Sequence, residues 1–130
     1  MAAKPSPVLS APALMAAVGF AIWTLFSTLP LLAGGAGVRE AFDTNAYWSL
    51  GLPVLMLSVA AAGALSAESP WRLAAAAVGG HFLGMLAVHP AGNGLGLLPL
   101  TLAFIGLPMF GLLAGFGWAG RGVRRLMRTA

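Results

Sequence analysis

The charged residues of this chain are Lys4, Arg39, Glu40, Asp43, Glu68, Arg72, Arg121, Arg124, Arg125 and Arg128. Their placement constrains the fold more than any other feature, because residues 5–38, 44–67 and 73–120 carry no charge at all. A helix needs about 20 largely apolar residues to cross a hydrocarbon layer about 30 Å thick, since it rises about 1.5 Å per residue. The first gap holds one such span, about 11–33, and the second another, about 46–67. The third is long enough for two. It is interrupted by the turn formers His89-Pro90-Ala91-Gly92-Asn93-Gly94, giving spans of about 71–88 and 96–119. No run alternates with the two-residue period of a membrane barrel strand. The expected fold is a single all-α integral membrane domain, a four-transmembrane-helix bundle with short loops and an amphipathic C-terminal tail at 120–130.

Composition excludes the main competitor. The 130 residues are 59% hydrophobic and only 8% charged, whereas a soluble domain is about 25% charged. The pI of about 11.3 reflects seven basic residues against three acidic ones. It does not describe a basic surface, so nucleic acid is not an expected partner. With no cysteine there is no disulfide, thiolate nucleophile or cysteine-ligated metal.

Local punctuation agrees with these spans. Ser69-Pro70 suits the start of the third helix, and Asp43 or Thr44 suits a cap for the second, as Asn93 does for the fourth. Tyr47, Trp48, Trp71 and Trp118 fall at span ends, where amphipathic rings sit at the headgroup level. Basic residues near span ends set orientation. The arginine tail, Arg72 and Lys4 place both termini in the cytoplasm, with the 34–45 and 89–94 loops outside. Alanine-rich, arginine-over-lysine usage suggests a GC-rich bacterial genome, so the expected location is a bacterial cytoplasmic (inner) membrane. Residues 11–37 also fit a long signal peptide ending at Ala33-Gly34-Gly35, but the apolar stretch exceeds an ordinary signal core.

Small residues mark where helices approach closely in lipid. Gly80 and Gly84 form one GxxxG pair and Gly111 and Gly115 another. Either pair serves packing within the bundle or a face between chains. Pro53 and Pro108 lie inside spans, where each removes a helix hydrogen bond and favours a kink.

His81 is the ionisable residue nearest the middle of a span, and so the candidate intramembrane polar site. It offers a proton relay or a ligand; the plainer reading is a neutral imidazole bonded to Ser27, Ser58, Thr101 or a backbone carbonyl. Small neighbours at Ala74, Ala77, Gly84 and Val88 turn it toward protein. His89 lies eight residues on, so the two histidines cannot embrace one haem, and too few ligands exist for a metal. Arg39, Glu40 and Asp43 read as a solvated loop. No catalytic fingerprint occurs, so neither an enzyme nor a cofactor is expected. On the tail, Arg121, Arg124, Arg125 and Arg128 share one helical face and Val123, Leu126 and Met127 the other, an interfacial helix touching anionic lipid headgroups.

A small proton-coupled transporter usually needs an acid within its spans, and every acid here lies in a loop. The expected role is therefore a structural or accessory subunit of a larger membrane assembly, with a membrane-protein partner or further copies of itself. The alternative is a small oligomeric transporter or channel with a pathway near His81.

Overall fold

The computed structural model describes residues 9–32, 41, 44–88 and 98–130 of the chain. Among these there is no strand. Four helices are long and apolar enough to cross a membrane. They are α1 (Ala11–Leu32), α2 (Tyr47–Leu65), α3 (Pro70–Val88) and α4 (Leu98–Thr129).

The helix starts follow local chemistry. Ser10 Oγ accepts from the Ala13 amide at 3.4 Å, and Thr44 Oγ1 accepts from the Tyr47 amide at 3.1 Å, each occupying a donor the first turn leaves open. Of the two expected caps for α2, Thr44 takes the role; Asp43 lies outside the described residues. Pro70 is the first residue of α3, where it has no N–H to waste, and the Ser69 carbonyl closes the turn. Arg39, Glu40, His89 and Asn93, and the small residues Ala33-Gly34-Gly35, also lie outside the described residues.

The prolines are accommodated by wide turns. In α2 a π-turn spans Tyr47–Gly51 and in α4 another spans Leu102–Gly106. Each ends in Gly-Leu-Pro, at 51–53 and 106–108. Leu52 N–H bonds back to Tyr47 O, and Leu107 N–H to Leu102 O, so one extra residue sits in the ring just before the proline. The glycine of each turn admits an aromatic ring from the preceding helix. A Cβ on Gly51 would lie 2.9 Å from the Phe26 ring, and one on Gly106 would lie 3.1 Å from the Phe82 ring. Both halves of the chain thus build the same device: an aromatic on the first helix against the glycine of a π-turn on the second.

α1 packs chiefly on α3, and α2 chiefly on α4, with α3 and α4 also in contact. The α1–α3 pair is parallel, since Ala16 meets Gly80 and Phe20 meets Gly84. Contact there is reciprocal. The Ala16 carbonyl fills the place of a Gly80 Cβ, and the Ala77 carbonyl that of a Gly19 Cβ. The α2–α4 pair repeats this pattern: the Ala60 carbonyl fills the Cβ place of Gly120, and the Gly117 carbonyl that of Gly63. Backbones touch at both crossings, which only glycine permits.

The amphipathic tail is helical and continuous with α4. The helix runs unbroken from Leu107 through Thr129, carrying the arginines on α4 itself. No proline follows Pro108 to stop it, and Gly120, inside the helix, packs against the Ala60 backbone.

Candidate functional site

The core between the helices is apolar apart from a few groups on α1, α2 and α3. His81 is 1% exposed, placed at the centre of the α3 face that meets α1. Its helical neighbours Ala74, Ala77 and Gly84 are buried with it, as their small size requires for close approach.

Tyr47 supplies the polar partner. Its hydroxyl lies 3.2 Å from His81 Nε2, and Tyr47 itself is 1% exposed. The direction of the bond follows the imidazole tautomer. Tyr47 is the first residue of the α2 π-turn, and the Thr44 cap holds its amide. Trp23 of α1 closes another side, its ring 4.9 Å from the imidazole and nearly perpendicular, and Phe82 flanks at 6.3 Å. The ring also lies against the backbone of Gly19. An edge-to-face contact of this kind suits the quadrupole of the indole.

One helical turn beyond Trp23 on α1 sits Ser27, 3% exposed. Its hydroxyl, like that of Thr24, is buried with no hydrogen-bond partner among the described residues. The neighbouring Thr28 instead returns its hydroxyl to the Thr24 carbonyl at 2.7 Å. Ser58, one of the expected partners of His81, bonds its own helix at the Val54 carbonyl.

The histidine partner was not legible beforehand because Tyr47 reads as a headgroup aromatic. The structure turns it inward, while its neighbour Trp48 is 51% exposed. Trp71 and Trp118 also keep exposed positions. The detectable signal was the recurrent Gly-Leu-Pro, which marks the wide turns and hence a change in facing.

Of the glycines singled out for packing, Gly80 and Gly84 lie inside the α1–α3 interface. Gly111 and Gly115 meet no other helix among the described residues. A Cβ on either would meet nothing within 4 Å, and both line a shallow outer groove with Leu112, Phe116 and Ala119. Packing of α4 runs through Gly117 and Gly120 instead. Beyond them Arg121, Arg124, Arg125 and Arg128 surround a pocket with Ala67. The opposite face of that segment exposes Val123, Leu126 and Met127.

Two apolar depressions lie on the described surface. One, of about 230 Å³, lies between the π-turns and is bordered by Tyr47, Trp48, Phe104 and Pro108. The other, of about 620 Å³, runs between α3 and α4 past Gly79, Phe82, Gly106 and Phe110. Among the described residues no group of three or more His, Cys, Asp or Glu could hold a metal ion. The chain matches no family model, no curated protein and no solved structure.

Proposed function

We propose that this chain is a multi-pass integral membrane protein of a bacterial cytoplasmic membrane, with cytoplasmic termini. In this reading it is a non-catalytic structural or accessory subunit of a larger membrane assembly. The observation that carries it is the outer surface of α3 and α4. Gly79 leaves open space at the groove of about 620 Å³ between α3 and α4, and Gly111 and Gly115 leave open space on a separate outer groove of α4. Glycine costs a helix roughly 1 kcal/mol relative to alanine, and within lipid small residues favour the close approach of another helix. The test is purification in mild detergent with mass spectrometry of what accompanies the chain. Gly111→Leu with Gly115→Leu should release the partner while leaving the helical content unchanged. Retention of every companion protein by that variant would overturn the reading. Gly80 and Gly84 are unsuitable for this test, since they pack inside the chain.

A small oligomeric transporter or channel is the second reading. It is favoured by one observation: the His81–Tyr47 pair is buried where helices of the two similar halves meet. Polar groups at the interface of repeats near the midplane are a feature of transporters. This reading requires solute flux in proteoliposomes, lost on His81→Ala. Flux equal in the two proteins, or none in either, removes it.

A further inference from the structure

The sequence places its four tail arginines in two helical pairs, Arg121 with Arg125 and Arg124 with Arg128. Like charges four residues apart on a helix repel one another. Here all four line one concave pocket of about 280 Å³ closed by Ala67. Two of them are held in place by the end of α2: Arg124 donates to the Ser66 carbonyl, and Arg121 to the Ala67 carbonyl at 3.5 Å. Arg121 also lies 5.6 Å over the Trp118 ring. Among the described residues no carboxylate pairs with any of the four, and the nearby Glu68 is bound to Arg72 at 2.9 Å.

A cationic pocket built this way is incomplete without an anion. We infer that it is a headgroup site for a membrane lipid carrying two phosphates. The inference rests on the reading of the chain as a membrane protein with a cytoplasmic tail. Arginine presents a planar fork of donors that matches phosphate oxygens, and each repelling pair is relieved by one bridging phosphate. Two pairs side by side therefore fit two linked phosphates. A single phosphodiester would leave most of the positive charge uncompensated within one screening length of about 8–10 Å. Position favours a lipid source over a dissolved one. Trp118 stands exposed one helical turn before Arg121, beside the pocket, and the exposed Val123, Leu126 and Met127 give the opposite face of the same segment an apolar surface.

The experiment uses the full chain, delipidated in detergent and titrated separately with diphosphatidylglycerol, phosphatidylglycerol, phosphatidylcholine and inorganic pyrophosphate. Native mass spectrometry and thermal shift give the readout. One diphosphatidylglycerol per chain should bind about tenfold tighter than phosphatidylglycerol compared at equal phosphate. Arg124→Gln with Arg128→Gln should erase that preference while circular dichroism stays unchanged; Arg72→Gln, outside the pocket, should keep it. Equal affinity for the two anionic lipids at equal phosphate overturns the two-phosphate site and leaves general anionic-lipid contact standing. Pyrophosphate binding as tightly as diphosphatidylglycerol overturns the lipid source. No preference for either anionic lipid over phosphatidylcholine overturns the site together with the membrane-facing tail on which it rests.

Discussion

His81 and Tyr47 bond to each other at 3.2 Å in a place that solvent does not reach, both being 1% exposed. Hydrogen bonds between membrane helices average about 0.6 kcal/mol and reach about 1.7. Their value lies as much in the cost of an orphaned partner as in the bond itself. Tyr47→Phe should lower stability by about 1 kcal/mol, measured by unfolding in mixed micelles with a denaturing detergent. In a cycle with His81→Ala the two changes should be less than additive, since either one removes the shared bond. A coupling of zero would mean that the two side chains are merely adjacent. Trp23 is wholly buried against the imidazole. Trp23→Ala should cost more, about 3–5 kcal/mol, through the cavity it leaves.

At the level of elements, helices α1 with α3 and α2 with α4 cross through reciprocal glycine–carbonyl contacts. These crossings make opposite predictions for adjacent residues. Gly80→Ala drives a methyl group into the Ala16 backbone and should destabilise by about 1–3 kcal/mol. Gly79→Ala meets open space and should be neutral or stabilising by up to about 1 kcal/mol. Thermal unfolding of the two variants side by side checks this. Equal effects would show that the α1–α3 crossing is not as close as described. In each of the two helices α2 and α4 a π-turn sits directly before the proline. The extra residue in the ring absorbs the missing donor, and the turn's glycine gives its space to Phe26 or Phe82.

For the whole molecule, α4 is the outsized member. Its 32 residues make a rod of about 48 Å at about 1.5 Å per residue, against a hydrocarbon layer of about 30 Å. The surplus carries the arginines past the Ser66–Ala67 end of α2. The chain contains no cysteine, so a single introduced thiol is reported without background. Ala130→Cys, at the exposed end of the tail, should react with a membrane-impermeant maleimide only in inside-out vesicles. Labelling in intact, right-side-out cells would reverse the orientation proposed from the basic residues.

Charge placement alone determined that this chain has four long apolar helices, because a charge in lipid costs so much that its absence over residues 5–38, 44–67 and 73–120 leaves few other folds. It also singled out His81, the ionisable group in the middle of an apolar run. What the histidine touches was decided by tertiary structure. Tyr47 is 34 residues away along the chain, and only the π-turn and the crossing of α1 with α3 bring its hydroxyl to the ring. The same holds for the glycines: spacing cannot tell Gly80, pressed on a backbone, from Gly111 and Gly115, facing outward. Periodicity fixes which residues share a face of a helix. Which face meets a neighbour depends on how all four helices pack, a long-range property that no local pattern carries.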